Sequence, residues 1–288
     1  MNISASRLNS LFSFYCSFNN RQPFDDLDLR LSIRPFVPHS SPQLDQHNLA
    51  SPSRMLSNLF WRELPWSTIK QELGEFHVVD TGCGSGSYGD YLDTCSNGNV
   101  TRYVGLDVSE HPSWGTSTSP NRAFHRFNGR SIAPHIPPQT NVFMSQSAIE
   151  HFPNDRRYFE DVQHFIQSPA RPILQVHLFP SAACMRLYGR HGYRQYTPRT
   201  VSRITRMFPD AQCHLFGLGG PACNRVHDQY ITQPLHKERL DYRRTKPEAY
   251  CDALTEAIKK DVSNPSAMND PSFWALVVCS NWKQPFVI

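Results

Sequence analysis

The stretch "FHVVDTGCGSGSYGD", residues 76–90, restricts the fold of this chain more than any other segment. A short apolar run ends in an acid, and four glycines follow within the eleven residues from Asp80 to Asp90. Glycine tolerates left-handed backbone and lets the main chain approach a ligand without a Cβ in the way. The run before it is a strand in composition, and Ser87 to Cys95 reads as a helix. Strand, tight glycine turn and helix together imply a βαβ unit and therefore a parallel sheet.

The rest of the chain keeps that alternation. "RYVGLD" (102–107), "AFHRFN" (123–128), "NVFMSQS" (141–147) and "PILQVHLF" (172–179) read as further strands. Asp155 to Gln167 is helical, with Tyr158, Phe159, Val162 and Ile166 on one side. Residues 248–260 read as a helix, and "FWALVVCS" (273–280) as a last strand that rejoins the sheet. Upstream, Met55, Leu56, Leu59 and Phe60 fall at helical spacing. That helix is interrupted near Pro65 and resumes towards Gly74. Thr197 caps a helix with Pro198 at its first position and Val201, Ile204 and Phe208 as its buried stripe. In an open sheet of this kind ligands sit beyond the carboxyl ends of the strands, which is where the glycine loop lies.

Two ligand templates match that loop. Gly84 to Gly89 is a G-x-G-x-x-G, and Asp107 stands eighteen positions beyond Gly89, as a dinucleotide-binding loop requires. Asp80 to Gly86 is a D-x-G-x-G-x-G. Asp80 argues for the second, because a carboxylate at the mouth of the loop repels a diphosphate. Tyr88 adds bulk where phosphates need open N–H groups. S-adenosylmethionine suits the loop better: it carries a sulfonium, an ammonium, a carboxylate and a ribose diol, and no phosphate. Gly82, Gly84 and Gly86 then let the chain close on its aminoacyl part, and Asp107 accepts the ribose hydroxyls.

"VVDTGCGSGSYG" followed by "YVGLDVS" resembles motifs I and II of the class I, Rossmann-like, S-adenosylmethionine-dependent methyltransferases. "NVFMSQSAIEHF" is similar to that family's fourth-strand motif, in which a Glu-His pair follows the strand. The resemblance covers roughly residues 55–180. It implies an α/β fold with a seven-stranded, mostly parallel sheet, helices on both faces and a terminal antiparallel hairpin, plus a substrate-covering insertion after the fifth strand. It also implies that Asp80, Gly82, Cys83, Gly84, Gly86 and Tyr88 line the methionine part and that Asp107 and Val108 meet the ribose. Asn128 then stands near the adenine, at a position where Asp is commoner, and Ser145 and Gln146 meet the cofactor from the fourth strand.

Methyl transfer from a sulfonium is an in-line displacement in which positioning supplies much of the acceleration. A hydroxyl acceptor gains from a general base, for which histidine is suited at neutral pH. His151, just past the fourth strand, is the first candidate, and His191 in "GRHGYRQY" is the second. His177, inside the fifth strand, reads as a core residue. Arg190, Tyr193, Arg194 and Tyr196 surround His191 and form the candidate acceptor site, suited to an anionic or polyhydroxylated molecule.

Composition narrows the function classes. Of 288 residues 39% are hydrophobic, no run approaches a membrane span, and the net charge of +4 is too small to make nucleic acid the default partner. The eight cysteines contain no C-x-x-C pair, so no structural metal is expected and the thiols read as reduced and cytoplasmic. The expected organisation is a loosely packed extension (1–50), a helical lid (51–75), a cofactor-binding core (76–180), a substrate-binding insertion (181–240), and a final helix and strand (241–288). The expected activity is O-methylation of a small molecule, a saccharide or a biosynthetic metabolite, by a monomer or homodimer. An NAD-type oxidoreductase and a catalytically silent cofactor-binding scaffold stand as the alternatives.

Overall fold

The computed structural model describes residues 26–39, 49–116, 119–167, 171–188 and 192–288. Among these, eight strands form one sheet: β1 (Leu31–Pro35), β2 (Phe76–Thr81), β3 (Val100–Asp107), β4 (Arg122–Arg126), β5 (Val142–Gln146), β6 (Ile173–Pro180), β7 (Gln212–Leu218) and β8 (Phe273–Ser280). Their spatial order is β1-β7-β8-β6-β5-β2-β3-β4. Only β8 runs against its neighbours, pairing antiparallel with β6 and β7. From β2 the chain steps outward through β3 and β4, then returns to lay β5 on the other side of β2. The carboxyl ends of β2 and β5 therefore flank the switch point, where the crevice of such a sheet opens.

Helices cover both faces. On one face α1 (Pro52–Arg62), α3 (Ser87–Cys95), α7 (Pro221–His227) and α10 (Pro247–Val262) pack through Leu56, Leu59, Leu92, Cys223 and Leu254 onto Val78, Met144, Val176 and Val277. On the other, α4 (Asp155–Ile166) and α6 (Pro198–Thr205) pack Tyr158, Phe159, Val162 and Val201 onto Val79, Phe143, Leu215 and Leu276. Because both faces are covered, β6 and β8 are buried at every position, which is why they read as continuous apolar runs rather than alternating ones.

The local signals that start and stop these helices are legible. Ser51 caps α1 by accepting from Arg54 N, with Pro52 as its first residue. Met55, Leu56, Leu59 and Phe60 are all buried, each contributing about 1.5–3 kcal/mol. Pro65 separates α1 from α2 (Trp66–Leu73), and Gly74, at φ 69°, ends the latter. Thr197 and Thr200 form a reciprocal cap at the start of α6. No helix among the described residues is long and apolar enough to cross a membrane.

Two expectations need correction. The sheet has eight strands rather than seven, and the additional one, β1, comes from the segment expected to be a loosely packed extension. It runs parallel to β7, buries Leu31, and is followed by the buried Phe36. Asp28 anchors its start, pairing with Arg30 at 2.7 Å and accepting from Thr205 Oγ1 at 2.7 Å. Only one of its five residues is buried, so its sequence carries no strand pattern. The second correction is β7, which lies inside the span expected to be a substrate-binding insertion. "QCHLFGL" alternates only from Gln212 to Leu215 and is buried throughout from Leu215 to Leu218. Met268 Sδ packs close over Gly217, 2.5 Å from where a Cβ would stand.

Candidate active site

A cleft of about 650 Å³ opens at the switch point, lined by the glycine loop, by Gln146 and Ser147 after β5, and by Arg54, Asn58, Tyr88 and Tyr91 from α1 and α3. Three glycines shape its floor with left-handed backbone: Gly82 (φ 77°), Gly84 (φ 53°) and Gly86 (φ 80°). At Gly82 a Cβ would lie 2.2 Å from Ala148 Cβ, and at Gly86 one would lie 2.3 Å from the Phe124 ring. These two positions exclude any other residue on both conformational and steric grounds. A second clasp holds the loop from outside: Trp114 Nε1 donates to Gly84 O at 2.8 Å and Ser113 Oγ to Ser85 O at 2.7 Å.

Asp80 is the electrostatic centre of the cleft. It stands one residue before the end of β2, buried at 1% exposure, with Oδ2 accepting from Tyr103 Oη at 2.5 Å. Oδ1 has no hydrogen-bond partner among the described residues. Burial raises its pKa to about 7, opposed by the Tyr103 hydrogen bond and assisted by the charge of Asp107. A buried carboxylate with an unused oxygen at a ligand cleft is poised for a cationic group. The cleft also holds a cation. Arg54 Nη1 donates to Tyr88 Oη at 2.7 Å, and that hydroxyl donates in turn to Asn58 Oδ1 at 2.9 Å. Tyr91 Oη donates to Asn58 O at 2.7 Å, which ties α3 to α1.

The remaining expected cofactor contacts fall in several places. Asp107 ends β3 beside the loop, with Oδ2 accepting from Gly84 N at 2.9 Å and Oδ1 from Ser109 N at 3.2 Å. Each oxygen keeps a second lone pair for a ribose hydroxyl. Val108 is 49% exposed next to it. Asn128 is exposed, and its Oδ1 is engaged by Arg130 N and Ser131 N, leaving only its amide nitrogen for a base. Gln146 lines the cleft while its Oε1 accepts from Trp61 Nε1 at 3.1 Å. Cys83 also lines it, and burial pushes its thiol pKa up, so it serves as a small packing residue. Ser145 departs from expectation: it is fully buried, and its hydroxyl faces His177 Nδ1 at 3.0 Å, on the sheet face away from the cleft. His177 itself is a core residue, held neutral by burial at a pKa of about 3.

The expected acceptor residues do not converge on the cleft. Tyr196 is buried at 1% exposure, stacks on Phe179 at 4.0 Å and donates to Asp155 Oδ2. Arg194 is occupied by Asp155 at 3.0 Å and by the carbonyls of Phe152 and Pro153. Both therefore pin the segment after β6 onto α4, where they line a separate cavity of about 410 Å³ together with Arg156, Arg203 and Arg206. Tyr193 is 53% exposed and touches the site only through its N–H, which donates to Glu150 O at 2.7 Å. His151 has a side chain 48% exposed, with Nε2 3.8 Å from Glu150 Oε1, and is not part of the cleft wall. Arg190 and His191 lie outside the described residues.

Sequence reasoning missed Arg54, Asn58, Tyr91 and Ser147, all of which line the cleft. Arg54 and Asn58 had a signal: they are polar residues four apart on a helix whose other positions are mostly apolar.

No family model matches the sequence, and no curated protein matches it. Among solved structures the chain is similar to the plantazolicin methyltransferase BamL, at 14% identity over 79% of this chain and 85% of that one, with a TM-score of 0.49. It is similar to an S-adenosylmethionine-dependent methyltransferase from Mesorhizobium loti, at 15% identity over 79% and 97% of the two chains and a TM-score of 0.46. It is also similar to the [4+2]-cyclase SpnF, at 8% identity over 96% of each chain and a TM-score of 0.48. Likeness at this level carries nothing about activity. The strand order and the single reversed strand β8 are the chain's own, and they form the mostly parallel α/β sheet expected from the sequence, with one strand added at the edge.

Proposed function

We propose that this chain is an S-adenosylmethionine-dependent methyltransferase that methylates a hydroxyl of a small molecule. The observation that supports it best is the pairing of charges in the cleft: the unused Oδ1 of Asp80 for an ammonium, and the Arg54 guanidinium for a carboxylate. An amino-acid zwitterion satisfies both groups, whereas a diphosphate satisfies only Arg54 and is repelled by Asp80. Gly89 does not discriminate between the two, because it packs on the Tyr103 ring within α3, a role either template gives it.

In this reading Gly82, Gly84 and Gly86 admit the aminoacyl chain, Asp107 takes the ribose diol and Val108 covers the sugar face. When bound, the donor supplies an activated methyl on a sulfonium. The protein's part is to fix that group by its two charged ends and to bring the acceptor oxygen in line. A small-molecule acceptor in the class of saccharides or biosynthetic metabolites belongs to the same reading, as does a cytoplasmic location, supported by seven described cysteines that are all free thiols. Calorimetric titration with S-adenosylhomocysteine (SAH) and with NAD+ tests the proposal. Binding of SAH alone is expected. Binding of NAD+ in its place would return the chain to the oxidoreductases.

A further inference from the structure

A second, smaller cavity of about 160 Å³ adjoins the cleft and shares Arg54, Gln146 and Ser147 with it. Hydroxyls dominate its polar wall: Ser51, Ser53 and Ser57 from the start of α1, and Ser147 from the end of β5. Cys184 and Phe273 close its apolar side. Its only cation is Arg54, which the zwitterion of the donor already engages, and none of its lining residues is an acid. A neutral group fits such walls. An anionic one would compete for Arg54.

Ser147 stands at the junction of the two cavities with φ 55°, a left-handed conformation that is strained for a non-glycine residue and persists where surrounding structure imposes it. Its N–H is held by Leu178 O at 2.8 Å, and its hydroxyl donates to Glu150 Oε1 at 2.9 Å. Glu150 is completely buried behind it, and the next loop closes over its backbone through Tyr193 N. With its own proton committed to Glu150, the Ser147 oxygen presents lone pairs to whatever occupies the junction.

We infer that the side cavity receives the acceptor as a small neutral alcohol, and that Ser147 relays the acceptor's proton to Glu150. This rests on the methyltransferase reading. The acceptor hydroxyl donates to Ser147 Oγ. As a lone pair of the acceptor oxygen forms the new O–C bond to the methyl, the C–S bond breaks with its electron pair remaining on sulfur. The acceptor proton passes to Ser147 Oγ while the Ser147 proton passes to the Glu150 carboxylate, so charge and atoms balance without an external base. Ser147 is then the catalytic residue, and Glu150 acts through it.

The test uses the full chain saturated with SAH and observed by saturation-transfer NMR, with glycerol, phenol and acetate as probes. Glycerol or phenol is expected to receive saturation, and acetate is not. Cys184→Leu, which fills the cavity, should abolish the transfer and keep SAH affinity. If that variant does not fold, Ser57→Val is read in the same way. With S-adenosylmethionine and whichever alcohol binds, Glu150→Gln should lower kcat about 100-fold or more and leave KM unchanged. Three results would overturn the assignment: no signal from either alcohol, equal signal from acetate, or wild-type kcat in Glu150→Gln. Undiminished signal in an SAH-binding cavity-filled variant would do the same. A wild-type chain that fails to bind SAH refutes the methyltransferase reading itself, and is scored separately.

Discussion

Asp80 should make cofactor binding depend on pH near neutrality. The carboxyl is protonated below about pH 7 in the unliganded protein because burial disfavours its charge. An ammonium bound at Oδ1 requires the ionised form, so binding in acid must first release a proton. The ionised fraction falls about tenfold between pH 8 and pH 6, and SAH affinity should fall by the same factor, about 1.4 kcal/mol. The facing groups are Tyr103, Cys83, Asp107, Tyr88 and Tyr158. Burial pushes the first two upward, away from this range. Calorimetry at several pH values, in buffers of different ionisation enthalpy, would count one proton released per SAH bound at pH 6 and almost none at pH 8. Methylthioadenosine, which lacks the aminoacyl chain, should show no such dependence. Asp80→Asn should flatten the SAH profile and weaken binding. Linkage gives the sign for stability: a folded-state pKa raised from 3.8 to about 7 means that stability present in acid is lost as pH rises through 7. Asp80→Asn should therefore raise the Tm of the unliganded protein at pH 8, by at most about 4 kcal/mol in stability. A flat SAH profile in the wild type, or an unchanged one in Asp80→Asn, would refute the role given to this carboxylate.

Arg54→Ala should weaken SAH about tenfold or more and leave methylthioadenosine unchanged, because only the former carries a carboxylate; equal losses would place Arg54 in the wall rather than at the ligand. Gly82→Ala should destabilise the chain by several kcal/mol and abolish SAH binding, read by thermal melting and calorimetry, since its Cβ would overlap Ala148. Arg194→Ala should cost about 1–3 kcal/mol of stability and leave SAH affinity intact, because its guanidinium holds Asp155 and two carbonyls rather than a ligand. Denaturant unfolding beside titration separates these outcomes.

Much of the cleft was legible because it depends on local rules. A glycine at positive φ, an acid at a strand end and an apolar run before a turn are properties of neighbouring residues, and the structure joins them as their spacing implies. β7 and β1 were not legible, for two different physical reasons. β7 is buried throughout its second half, so its alternation lasts only four residues. β1 lies at the edge, so most of its residues need not be apolar. On the acceptor side a third reason applies. An arginine among aromatics has the same composition whether it faces a ligand or clamps a loop, and only the position of Asp155 decides that Arg194 clamps.

By itself, the sequence determined the succession of strands and helices, the glycine floor of the cleft and the acid beside it. These follow from backbone freedom, hydrophobic periodicity and charge, which act over a few residues. The tertiary structure decided what shares the cleft with them. It brings Arg54 to within a cavity of Asp80, turns Ser145 towards His177 and leaves Ser147 facing the opening. It also buries Tyr196 and sets the buried Glu150 behind Ser147. Such choices depend on which helix lies over which strand end, and that is fixed by the packing of both sheet faces at once.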